Sequence, residues 1–324
     1  MTQAPTPCAA TVRPLARSLL GEDRAGPADG PEVRPVDAGG GGEVDGGRAG
    51  GVWWVGDRHV LRLAPDREAA VRLHRELRLR DLVRPYLPVA VPVSVARGEW
   101  APGLPCTLDT RVPGGPADGH EVSAVGETDL AGLLGGLREV PVRRAEALGV
   151  PRAAPRSLEA LRRAAERAAA RLARAGEFDP ARPGRLTAAA AAQLAAQPGT
   201  AVLVHHRLTA DHLVLDAEGR VRGALGWTGA VVGDPAEDIA ALALAVGSPA
   251  AVRAATLAGY GARPCLRGLW LARCDGLLHC AEALTGPAAE PPALLTDRLH
   301  RAWEPILLER VTELREDDTE GTGH

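Results

Sequence analysis

A Pro-Gly-Gly-Pro run at residues 113–116 divides the chain into two stretches whose apolar residues repeat with different periods. That break constrains the fold more than any other feature, because Pro and Gly together interrupt both helix and strand. Before it, Val52-Trp53-Trp54-Val55 and Val60-Leu61-Arg62-Leu63 flank the turn-like Gly56-Asp57 and predict a β-hairpin, entered from a glycine-dense loop at Gly39–Gly51. From Asp66 to about Val83 the spacing turns helical, with Ala70, Leu73 and Leu77 on one side and Asp66 placed as N-cap. Val89, Val91, Val93 and Val95 alternate and predict a strand, and Cys106–Val112 predicts another.

Beyond the break the pattern is mainly helical: Leu130–Leu137, Ser157–Ala175 and Ala188–Ala195, then Glu237–Val246, Leu266–Leu284 and Leu294–Leu314. Three short apolar runs, Ala201–Val204, Leu213–Leu215 and Val221–Leu225, predict strands between the two sets of helices. The expected organisation is an α+β chain of two lobes. Residues 1–30 hold one helix near Val12–Leu20 with loose flanks, 31–113 a small lobe with the Gly-rich loop, 114–315 a larger helical lobe, and 316–324 an acidic tail.

Charge limits the partners. A formal net charge of −3 over 324 residues gives no global attraction to nucleic acid or to an anionic membrane. The arginines of the Ser157–Ala175 helix alternate with Ala and Glu, which reads as a solvated face. The chain has no Lys and no Asn, so Schiff-base and Walker-lysine chemistry are excluded and only Arg can stand in for a phosphate-gripping lysine. Five cysteines, odd in number and without a C-x-x-C pair, fit reduced thiols in the cytoplasm. The N-terminal stretch lacks a signal-peptide pattern and no run approaches the ~18 apolar residues of a membrane span, so a soluble cytoplasmic protein is expected.

The chemistry concentrates in His205-His206-Arg207-Leu208-Thr209-Ala210-Asp211-His212, followed by Leu225-Gly226-Trp227 and Gly233-Asp234-Pro235-Ala236-Glu237-Asp238. This stretch resembles the catalytic region of aminoglycoside and macrolide phosphotransferases, in which a His-x-Asp-Leu loop with a downstream Asn or His precedes an Asp-Trp pair and a Gly-Asp-Pro-Ala-x-Asp segment. Upstream, Val60-Leu61-Arg62-Leu63 and Arg75-Glu76 are similar to that family's third strand and following helix, and Arg111-Val112-Pro113-Gly114 to its hinge. The resemblance spans about residues 30–310 and implies a protein-kinase-like fold, ATP or GTP with Mg²⁺ as cofactors, and a small-molecule substrate.

Two departures bear on function. The family's base, the Asp of the His-x-Asp loop, corresponds to Arg207, which cannot accept a proton. The Asp before Trp, which holds Mg²⁺ in the family, corresponds to Gly226. His212 keeps the other metal-side position, yet one imidazole is a poor site for a hard, oxygen-seeking ion. Arg62 replaces the phosphate-gripping lysine with Glu76 as its expected helix partner, His205 packs the loop, and Asp211 is the candidate substitute base. Asp234 and Asp238 read as loop and helix-cap residues.

His205, His206, His212 and Asp211 also suggest a metal cluster, but strand alternation sends His205 and His206 to opposite faces, and no metal site is expected. Losing a general base costs roughly 10²- to 10⁴-fold. Losing the metal costs several kcal/mol of transition-state stabilisation more. The expected function is therefore a degenerate, non-phosphorylating member from a GC-rich bacterium that binds a nucleotide or another small molecule, in specialised metabolism. An active ATP-dependent phosphotransferase on an antibiotic-like hydroxyl, and a scaffold or regulator of a protein partner, are the two alternatives.

Overall fold

The computed structural model describes residues 6–21, 31–36, 51–176, 186–195, 201–285 and 291–307. The Gly-rich loop from Gly39 to Gly50 and the acidic tail lie outside them. The fold is two-lobed, with a β-sheet small lobe and a helical large lobe.

In the small lobe, β1 (Val33–Pro35), β2 (Val52–Val55), β3 (His59–Leu63), β4 (Ser94–Ala101) and β5 (Leu104–Thr110) form one antiparallel sheet in the order β1-β2-β3-β5-β4. Period-two alternation gives it two faces. Trp53, Val55, Leu61, Leu63, Cys106 and Leu108 cover one of them and pack with Val12 and Ala16 of α1 (Ala9–Leu20). Arg62, Thr107 and Asp109 alternate with those core residues and face α2 (Arg67–Val83), whose first turn is capped by the Asp66 carboxylate accepting from the Ala69 N–H at 2.8 Å.

The expected strand at residues 89–95 is corrected by the structure. Regular pairing starts only at Ser94, and before it Ala90 makes an isolated bridge to Gly223 of the large lobe. The cause is Pro88 and Pro92, which lack the N–H a ladder needs. The segment is an interlobe strap, held by Ala90 N–H to Arg222 C=O at 2.9 Å and Ala224 N–H to Ala90 C=O at 3.0 Å.

The large lobe begins at β6 (Gly115–Pro116), which pairs with β8 (Leu213–Leu215), itself paired with β9 (Val221–Ala224). Gly114 makes this entry: with φ of 132°, a Cβ there would lie 2.3 Å from the Leu215 carbonyl oxygen. The helices are α3 (Ala124–Glu139), α4 (Val142–Ala147), α5 (Leu158–Ala175), α6 (Ala188–Gln193), α7 (Ala236–Val246), α8 (Ser248–Leu257), α9 (Ala262–Ala283) and α10 (Pro292–Ala302). β7 (Val202–Val204) pairs with β10 (Val231–Gly233).

The lobe is built around α9, which buries Cys265, Leu269, Trp270, Leu271, Cys274 and Leu277 against the surrounding helices together with the guanidiniums of Arg267 and Arg273. The helix expected to reach Leu314 is described only to Ala302, and residues past 307 are outside the described set. Among the described residues no helix is long and apolar enough to cross a membrane.

Candidate functional site

The loop between β7 and β8 is fixed by a carboxylate from another element. Asp238, in the first turn of α7, accepts the backbone N–H of His205 at 2.8 Å and of His206 at 2.7 Å. Sequence reasoning gave Asp238 a capping role. Its carboxylate instead reaches out of its helix to pin the loop. Burial pushes this carboxyl up to about 7, against the two N–H groups that favour its ionised form.

Pinned in this way, the loop turns sharply. His206 has φ of 67°, the one positive-φ non-glycine among the described residues, and its side chain is exposed. A left-handed conformation costs a side chain about 1–2 kcal/mol relative to Gly. His206→Gly is therefore expected to stabilise the protein by about 1 kcal/mol, read as a higher unfolding midpoint in urea.

His205 points the other way, fully buried, with its ring edge-on to Trp227 at 4.5 Å between centroids. Trp227 is held by its indole N–H donating to the Ala224 carbonyl at 3.0 Å. These contacts join the loop to the turn at Trp227–Gly229. Among the described residues no three His, Cys, Asp or Glu side chains converge as a metal site would need.

His212 and Gly226 meet in the same place. The His212 Nδ1 and the Thr209 hydroxyl are 2.9 Å apart, which orients the ring over residue 226. Gly226 has φ of 79°, and a Cβ built on it would lie 2.3 Å from His212 Cδ2 and 2.5 Å from Nε2. Real Cβ atoms never approach so closely, so the imidazole fills the space into which a side chain at 226 would grow. The residues present do not fit Mg²⁺: one expected ligand is glycine, and the room for a carboxylate is taken by the other.

Arg207 lies on the next turn. A Cβ on Gly229 would be 2.8 Å from its Cδ, so its methylene stem runs along the Gly229 backbone. The partly exposed guanidinium has no hydrogen-bond or ion-pair partner among the described residues. Thr228, between them, gives its carbonyl to Arg75 of α2 at 3.1 Å, which ties this turn to the small lobe. Asp211 sits on the one-turn helix at Ala210–His212, its carboxylate 4.0 Å from Arg298 Nη2.

In the small lobe, Arg62 donates to both oxygens of Glu76 at 2.7 Å, and its Nη1 lies 3.8 Å from Asp109. Arg80 adds a 2.8 Å bond to Asp109 and lies 3.5 Å from Glu76. Two guanidiniums therefore face two carboxylates, and the charge of Arg62 is internally balanced. The spacing of Arg62 and Glu76 on strand and helix made that pair legible. Arg80 and Asp109 gave no comparable signal.

A pocket of about 340 Å³ opens on the other side of the loop, touching His206 and Thr209. Its wall is apolar at Ala240, Ala241, Leu244 and Leu295, and polar at Arg156, Glu237, Asp275, His279 and Arg298. Arg156 joins Glu237 to Asp275, residues 81 and 119 positions away in sequence. Sequence reasoning missed that cluster because only the fold brings its members together.

Residues 42–269 match the profile of the phosphotransferase enzyme family. Among curated proteins none matches at the sequence level. Solved structures do. An aminoglycoside 2'-phosphotransferase-IIIa in complex with GDP superposes with a TM-score of 0.58 at 18% identity, over 94% of this chain and 99% of that one. The macrolide 2'-phosphotransferase MphH from Brachybacterium faecium superposes with 0.55 at 23% identity, over 92% and 98%. APH(2")-IIIa in complex with GDP and kanamycin gives 0.55 at 19%, over 90% and 94%. With the profile covering most of the chain and the two-lobed fold shared end to end, this protein belongs to the phosphotransferase enzyme family.

Proposed function

We propose that the chain is a catalytically degenerate member of this family, which binds a nucleotide or another small molecule without a metal ion and transfers no phosphoryl group. The observation that carries this reading is the His212 ring standing where a side chain at Gly226 would have to grow. Phosphoryl transfer is catalysed chiefly by positioning and by charge neutralisation at the phosphates. Here the position that resembles the metal carboxylate has neither the carboxylate nor room for one.

The second support is Arg207. At the position resembling the family's base it places a cation without a partner among the described residues, which attracts an anion where the family's residue would take a proton. Asp211 has the chemistry of a substitute base, but its carboxylate lies 4.0 Å from the Arg298 guanidinium, which competes for its lone pairs. The structural neighbours' complexes contain GDP and kanamycin, which supports a small-molecule ligand for this chain too. Among the described residues the buried thiols of Cys106, Cys265, Cys274 and Cys280 form no disulfide, which suits a reducing cytoplasm.

The test is thermal unfolding with ATP or GTP, each with Mg²⁺ and with a chelator. A ligand at about 100 times its Kd stabilises by about 2.7 kcal/mol, a readily measured change in midpoint. The expected result is the same upward displacement with and without metal. A displacement that needs Mg²⁺, or release of ADP in the presence of a hydroxyl acceptor, contradicts the proposal.

A further inference from the structure

The pocket beside the loop contains two carboxylates, Glu237 and Asp275, and on composition alone it would suit a ligand bearing ammonium groups. Its geometry says otherwise. The Arg156 guanidinium makes four hydrogen bonds to them: Nε to Glu237 Oε1 at 2.9 Å, Nη2 to Glu237 Oε2 at 2.6 Å, Nη1 to Asp275 Oδ1 at 2.7 Å, and Nη2 to Asp275 Oδ2 at 2.9 Å. Each carboxylate is thus held by a two-pronged, charge-assisted contact. The carboxylates are mostly buried, at 12% and 18% side-chain exposure, so little solvent competes with the arginine. Arg156 is itself anchored through its carbonyl, which accepts from Arg267 Nη2 at 3.0 Å, while Arg267 Nε is fixed 2.5 Å from Asp234.

We propose that Arg156 is a built-in counter-cation that occupies the acidic sites of this pocket, so that the pocket rejects polycationic ligands and accepts a neutral, hydroxyl-bearing molecule with an apolar body. The apolar body would lie on Ala240, Ala241, Leu244 and Leu295, and the polar groups available to it are the exposed imidazoles of His206 and His279, neither of which has a partner among the described residues. At about 340 Å³ the pocket is at the small end of the ~300–1,000 Å³ usual for ligand sites. This inference rests on the reading that the chain binds a small molecule.

The experiment uses kanamycin and spermine as polycation probes, by calorimetric titration at low salt. The unaltered protein should show no saturable binding to either. Arg156→Ala exposes both carboxylates and should bind kanamycin at least about tenfold more tightly, the factor for a single ~1.4 kcal/mol contact, and the gain should vanish in R156A/E237Q/D275N. Saturable kanamycin binding to the unaltered protein, or no gain in a folded R156A, overturns the proposal. Should R156A fail to fold, Glu237→Gln/Asp275→Asn keeps carbonyl acceptors for Arg156 while removing their charge. Inorganic phosphate should then bind at least about tenfold better than to the unaltered protein, and the absence of that gain overturns the proposal equally. The nucleotide titration run beside these arms separates the two claims. If nucleotide binding stays metal-independent while these arms fail, only the role of Arg156 falls.

Discussion

Replacing Gly226 with Asp, the residue that the family resemblance places there, is expected to destabilise the protein by about 2–4 kcal/mol rather than to restore a metal site. Roughly 1 kcal/mol comes from placing a side chain at a φ of 79°. The larger part, about 1–3 kcal/mol, comes from forcing a Cβ into the His212 ring, which is buried and held by Thr209. Gly226→Ala should show most of that cost without any charge. Adding His212→Asn should recover the collision part and leave the backbone strain. The double-mutant cycle should therefore give a coupling of about 1–3 kcal/mol, measured by urea unfolding of the four proteins. Additive effects would mean that the two positions do not share space.

The same geometry bears on any attempt to regain catalysis. Restoring only the two missing carboxylates, Arg207→Asp with Gly226→Asp, leaves the imidazole in place. His212 has to change with them.

The second large effect is expected at Asp238. Asp238→Ala leaves the N–H groups of His205 and His206 without their acceptor, and at about 1–3 kcal/mol for the buried His205 group and about 1 for the half-buried His206 group the loss should be about 2–4 kcal/mol. The loop from His205 to His212 should lose protection from amide hydrogen exchange more than the helices around α9. The effect should also depend on pH. Because burial raises this carboxyl from 3.8 to about 7, the folded state holds its proton more tightly than the unfolded one. Its contribution is then complete below about pH 4, declines as pH rises through about 7, and is level above. The stability gap between the unaltered protein and Asp238→Ala should narrow over that range, and a gap that widens with pH would show that the two N–H groups hold the folded carboxyl below its unfolded value.

Much of the fold was legible because its elements announce themselves locally. The hairpin of Val52–Val55 and His59–Leu63, the Asp66-capped helix and the interruption at Pro113–Pro116 depend on period, cap and breaker, which need no tertiary information. The strap at residues 89–93 was misread as a strand because four alternating valines outweighed two prolines that remove ladder donors. At the site, the substitutions at Arg207 and Gly226 were visible as letters in a motif. What they do was not. That His212 stands in the space above Gly226, that Asp238 serves the loop instead of its own helix, and that Arg156 reaches two carboxylates across more than eighty residues are consequences of packing, which no local pattern encodes.

The central claim is that the metal position is closed by this chain's own imidazole, and the metal dependence of nucleotide binding tests it most directly. The midpoint of thermal unfolding with ATP is compared in Mg²⁺ and in chelator, for the unaltered protein and for H212N/G226D. The unaltered protein should respond identically in both conditions, and the double variant should gain a response that requires Mg²⁺. A Mg²⁺-dependent response already present in the unaltered protein would show that the site is open and contradict the proposed function.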